Sequence, residues 1–136
     1  MNRKMNHEKN FEMREIKFRA KHGKEWVYGD LHLMSNMPHI HSDPFTRHAI
    51  NVETIGQYTG LKDKNGKEVY EGDIIRSFDS SGEAILHCIV WEEVRFVALY
   101  KGSNFSSKCF LNQDWLDEFD KEIIGNICDN PKLLEM

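Results

Sequence analysis

Cysteine is scarce: Cys88, Cys109 and Cys128 are the only three in 136 residues. They are far apart, odd in number and form no CxxC pair. That excludes a disulfide framework and a zinc site built on paired cysteines, and it fits free thiols in a reducing cytoplasm. No apolar run approaches the ~20 residues of a membrane helix, and no signal-peptide core is present. A basic surplus is also missing. With 18 Lys and Arg against 22 Asp and Glu, the net charge is −4, which argues against gripping duplex nucleic acid mainly through its phosphates. Internal repeats and low-complexity tracts are absent, as is the spacing of a Ser-His-Asp or Cys-His-Asp set. Gly56-x-x-x-Gly60 is not a phosphate loop, because no Lys-Ser/Thr follows in the required place.

What remains is a chain that can build a core. Hydrophobic residues make up 40% of it and aromatics 11%, ample bulk for a β domain. Surface scaling gives roughly 7,400 Å² exposed when folded against about 23,000 Å² extended. One domain over residues 13–136 is expected. Residues 1–12 are polar and aperiodic, and read as a disordered leader or extension.

Glu15 to Lys21 alternates, with Ile16, Phe18 and Ala20 on one side and Lys17, Arg19 and Lys21 on the other, the pattern of a half-buried strand. His22-Gly23-Lys24 turns the chain into a second strand through Trp26, Val27, Tyr28 and Leu31, making an N-terminal hairpin. His32 to Arg47 has no clean period and contains Pro38 and Pro44, so it reads as a loop with short extended pieces, of a length that is either functional or mobile. Ile74 to Phe78, Ala84 to Trp91 and Val94 to Tyr100 form a three-stranded meander. Gly102-Ser103-Asn104 and Ser106-Ser107 read as loop. Asn112 caps a short helix whose inner face carries Trp115, Leu116 and Phe119. Lys121 to Cys128 is a last strand, and Asn130-Pro131 opens a terminal turn. The fold class expected is mainly β: a small antiparallel, SH3-like barrel with the hairpin and one or two short helices added.

The densest turn chemistry lies from Ile55 to Ile75. Asn65-Gly66 is a strong hairpin signal. Gly56 and Gly60 mark bulges or close backbone approach, and Gly72-Asp73 makes a second turn in which the Asp73 carboxylate accepts from backbone N–H groups. Gly60, Asn65, Gly66, Gly72 and Asp73 are therefore structural. Glu68, Glu71 and Asp73 otherwise read as a solvated, charged hairpin end.

Three stretches resemble the YopX family of temperate phages and prophages of Gram-positive bacteria. They are Met13-Arg14-Glu15-Ile16-Lys17-Phe18-Arg19-Ala20; Ile55 to Gly66 with Tyr70-Glu71-Gly72-Asp73-Ile74-Ile75; and Ile123-Ile124-Gly125-Asn126-Ile127 followed by Asn130-Pro131-Lys132-Leu133-Leu134. The resemblance implies a mainly β homo-oligomer in the bacterial host cytoplasm, with no established activity, cofactor or catalytic residue to carry over. The function expected is a non-enzymatic accessory or interaction protein, with an unknown phage or host protein as partner.

Two alternatives are weighed. A metal-dependent enzyme would use His39, His41, Asp43 and His48, since imidazoles and a carboxylate suit zinc or nickel; their spacing is not diagnostic, and a solvated His-rich loop is the plainer reading. A nucleic-acid-binding factor would use Tyr58, Lys62, Tyr70 and Arg76, or Trp26 and Tyr28 with Lys17 and Arg19; core or subunit interface is the plainer reading for these aromatics. Cys88 and His87 adjoin on one strand and so face opposite sides, which disfavours a Cys-His pair.

Overall fold

The computed structural model describes residues 14–34, 36–101 and 106–135, so the leader expected over residues 1–12 lies outside the described residues. Two antiparallel sheets make up the fold. The first is built from β1 (Phe18–His22), β2 (Glu25–Met34), β3 (Met37–Asp43), β4 (Thr46–Ala49), β5 (Asn51–Lys62) and β6 (Glu68–Tyr70), in the order β4-β3-β2-β1-β5-β6. The second contains β7 (Asp73–Phe78), β8 (Ala84–Glu92), β9 (Arg95–Lys101), β10 (Ser106–Phe110) and β11 (Glu122–Asn126), in the order β10-β9-β8-β7-β11.

The expected SH3-like barrel does not close. The β7–β8–β9 meander is present, but its sheet ends in β10 on one side and β11 on the other. These edge strands do not pair with each other. Ser106 and Ser107, read as loop, begin β10 and pair with Lys101 and Tyr100.

The core lies where β6 and the end of β5 cover one face of the second sheet. Val69, Ile75, Ile89, Ala98 and Leu116 are fully buried there, with Leu61, Phe96, Leu111, Trp115 and Ile123 packed around them. Helix α1 (Gln113–Asp117) supplies Leu116 and is capped by Asn112, whose Oδ1 accepts from the Trp115 N–H at 2.8 Å. Phe119, expected on the helix's inner face, is 72% exposed. The helix stops at Asp117, and Phe119 and Asp120 turn away in left-handed conformation at φ 57° and 52°. A 3-10 turn, Pro131–Leu134, closes the described chain.

The segment His32 to Arg47 is corrected most. It is not a loop: β2 runs on to Met34, β3 pairs with it from Met37 to His41, and β4 pairs with β3. Pro38 is tolerated because it faces Leu33 on β2, whereas pairing with β4 begins only at His39. Its missing N–H therefore falls outside the β4 ladder. The period was hidden because only Ile40 is fully buried in β3.

Candidate functional site

The glycine-rich middle of the chain organises a junction between the sheets. Gly66 at φ +78° closes the Asn65-Gly66 turn, and its N–H donates to the Asp63 carbonyl at 3.0 Å. The Asp63 carboxylate accepts from the N–H groups of Asn65, Lys67 and Ile123 at 2.9–3.0 Å, tying the turn to β11. Gly60 at φ +87° sits where the β5–β6 register shifts. Gly56 lets β5 pass beneath the β6–β7 turn: a Cβ there would lie 2.6 Å from the Glu71 carbonyl oxygen. Gly72, at φ +95°, donates to Ile89 O at 2.7 Å and accepts from Ile127 N at 2.9 Å.

Asp73 is 1% exposed, so the carboxylates around this turn are not uniformly solvated. One of its oxygens accepts from the Tyr70 N–H at 2.7 Å and the other from the Arg19 guanidinium at 2.7 Å. Burial pushes the Asp73 pKa above the ordinary carboxylate value, with the Arg19 charge and the Tyr70 N–H pulling against it. Arg19 lies between the Trp26 and Tyr70 rings, 4.6 and 4.9 Å from their centroids. It crosses from the first sheet to the second.

Its neighbours repeat the arrangement. Lys17 pairs with Glu68 at 2.8 Å and Lys21 with Asp129 at 2.5 Å. Lys21 and the Trp26 indole N–H, which donates at 2.8 Å, hold the Asp129 pKa at about 2. The basic side of β1, together with Lys17 just before it, which alternation assigns to solvent, is thus a row of three cations, two answered by carboxylates flanking the β6–β7 turn and the third by Asp129. Arg76 is likewise paired with Glu122, and Tyr58 and Tyr70 are buried. Most of the cations in the two basic–aromatic sets are therefore already neutralised. At the junction Asp63, Glu68, Asp73 and Asp129 each hold a structural partner.

The histidines lie on the arm formed by β3, β4 and the end of β2. His39 and His41 share one face of β3, but His48 opposes Ile40 and falls on the other, and the register shifts between His41 and Asp43, which pairs with Thr46. The His39 Nδ1 is 3.1 Å from Met37 O, His48 Nε2 is 3.2 Å from Ser42 Oγ, and Asp43 accepts from its own turn at Phe45 N, 2.8 Å. His41 stacks on His32 at 4.0 Å between centroids. Desolvation and the neighbouring His32 and Arg47 lower its pKa. Among the described residues no three His, Cys, Asp or Glu side chains gather around a common metal position. Among its exposed residues the arm presents large apolar side chains: Leu33 at 75% and Met37 at 59% beside the β2–β3 turn, and Phe45 at 97% in the β3–β4 turn.

One cluster escaped the sequence reading. The Cys-His approach weighed on β8 does not form, but His87 Nε2 lies 4.0 Å from the Sγ of Cys109, across β9 on β10. His87 also packs edge-on against Trp115 and beside Tyr100. Burial, and secondarily the Lys121 charge, push its pKa down to about 4, so the imidazole is neutral at pH 7. The unfolded chain takes up this proton near pH 6.5. Stability contributed by the neutral ring is full above that value and is lost as pH falls toward 4. Urea unfolding at pH 7 and pH 5 is expected to show wild type losing about 2 kcal/mol more than His87→Leu; equal losses would contradict the buried neutral ring.

Among the described residues no helix is long and apolar enough to cross a membrane. The family model for YopX protein matches residues 4–135. No curated protein matches the chain. Among solved structures, the crystal structure of protein EF1440 from Enterococcus faecalis is similar, with 27% identity and a TM-score of 0.60. That match covers 90% of this chain and 100% of that one. With the family model spanning nearly its whole length, the chain belongs to the YopX family.

Proposed function

We propose that the chain is a phage or prophage accessory protein that acts by protein–protein contact as a homo-oligomer, without catalysis, in the bacterial cytoplasm. The observation that carries this reading is the apolar arm. Leu33 and Met37 lie at one end of β3 and Phe45 at the other, about 20 Å apart along seven residues of strand. β4 is the free edge beside them. An unpaired edge flanked by apolar side chains is a template for another strand. A second copy is favoured as the occupant, because antiparallel apposition of two β4 edges brings Phe45 of one chain to the Leu33 end of the other under a single two-fold axis.

Light scattering at micromolar concentration is expected to give a multiple of the 16.0 kDa chain mass. Leu33→Glu combined with Phe45→Glu is expected to return a 16.0 kDa species that keeps its far-UV circular dichroism. A wild-type monomer under these conditions would overturn the assembly.

A further inference from the structure

Lys121 is only 4% exposed, yet it makes no ion pair among the described residues. Its ammonium donates once, to the Glu118 carbonyl at 3.0 Å, and rests against the Trp115 and Phe119 rings at 4.4 and 5.3 Å from their centroids. Buried charges are normally matched by an opposite charge. Close by, His87 is 8% exposed and its buried Nδ1 has no hydrogen-bond partner. Both residues line a cavity of about 400 Å³ between the β7–β8 turn and the α1–β11 turn, with Trp115 and Phe119 also in its wall. The two left-handed residues Phe119 and Asp120 hold that wall in place, a costly backbone for side chains with a Cβ.

We propose that this cavity binds a small planar monocarboxylate, its oxyanion received by the Lys121 ammonium and the His87 Nδ1–H and its flat body lying against Trp115 and Phe119. The volume falls in the range of small-molecule sites. The carboxylate nearest the mouth on the β7–β8 turn, Asp79, is not the missing partner of Lys121. It is consumed by its own turn, accepting from Ser81 N and Glu83 N at 2.9 Å. Asp79 and Glu118 at the cavity repel every anion, and a polyanion more than a single carboxylate, which disfavours a nucleotide phosphate most. Lys121 has its pKa lowered by desolvation, with the Glu118 charge acting in the opposite direction. His87, neutral near pH 7, can present Nδ1–H when Nε2 carries no proton.

Calorimetric titration of the full chain with sodium benzoate, and separately with benzamide, tests the site. Benzoate is expected to bind saturably with one site per chain, and benzamide at least about tenfold more weakly, since the charge-assisted contact is lost. Lys121→Met is expected to weaken benzoate by about tenfold or more, and His87→Phe by a smaller factor. No saturable heat up to about 10 mM benzoate, equal affinity for benzamide, or unchanged affinity in correctly folded Lys121→Met would each overturn the proposal. If Lys121→Met does not fold, the wild-type comparison of benzoate with benzamide decides. None of these readouts depends on oligomeric state.

Discussion

In Asp73→Ala protein, thermal unfolding is expected about 10 °C or more below wild type, equivalent to about 3–5 kcal/mol. Little of that is the attraction between Asp73 and Arg19 as such. A buried ion pair gains little over apolar residues of the same shape, because both charges must be desolvated. The loss comes from what the substitution strands. The Arg19 guanidinium stays inside, held between Trp26 and Tyr70, with its anion gone. The Tyr70 N–H loses its acceptor at the same stroke. The pair also joins β1 of one sheet to β7 of the other, so the defect falls on the contact between the layers. Adding Arg19→Met to Asp73→Ala removes the stranded charge and is expected to recover part of the loss. Chemical denaturation of both single variants and the double variant measures the coupling. An Asp73→Ala loss under about 1 kcal/mol would refute the role assigned to the pair.

Gly29→Ala is the second large effect expected, at about 3 kcal/mol or more. Gly29 sits at φ +149°, and a Cβ there would overlap the backbone carbonyl of His41. Neither atom can rotate away, since His41 is fixed in the β2–β3 ladder opposite Asp30. The arm must separate from β2 or the strand must buckle. Hydrogen exchange is expected to accelerate for the β3 and β4 amides more than for those of β7 and β8. Gly23→Ala is the matched control: it also has positive φ, but nothing lies within 4 Å of an added Cβ, so about 1–2 kcal/mol is expected. Equal effects at the two glycines would show that the close approach at Gly29 is unimportant.

The parts of the fold legible in the sequence are those whose signals are local. The β7–β9 meander shows through its apolar runs and turns, and Asn112 marks α1 because a cap acts within three residues. Gly56 was legible as a site of close approach. The β3 arm was illegible because its apolar side chains are exposed rather than buried, so burial left no alternating trace and Pro38 looked like a break. Arg19 was assigned to solvent because alternation reports side, not surroundings. Its burial depends on Asp73, 54 positions away. His87, Cys109, Trp115 and Lys121 meet from four elements or their flanks, at spacings no motif describes. The barrel was inferred from the meander alone, and nothing in those three strands says which neighbours their sheet will acquire at its edges.

The row of cations along β1 also bears on how the chain is made. Arg19 waits for a partner 54 residues later, and the Trp26 indole for one 103 residues later, at Asp129. At a synthesis rate of 5–20 residues per second, the second interval lasts roughly 5–20 s. During it the first strands leave the ribosome with an apolar side and a charged side that both lack their cover. Pairings this remote raise the contact order and slow folding. The first hairpin can zip early, and Glu68 and Asp73 answer Lys17 and Arg19 midway, but Lys21 and the Trp26 indole gain their partner only once Asp129 has emerged.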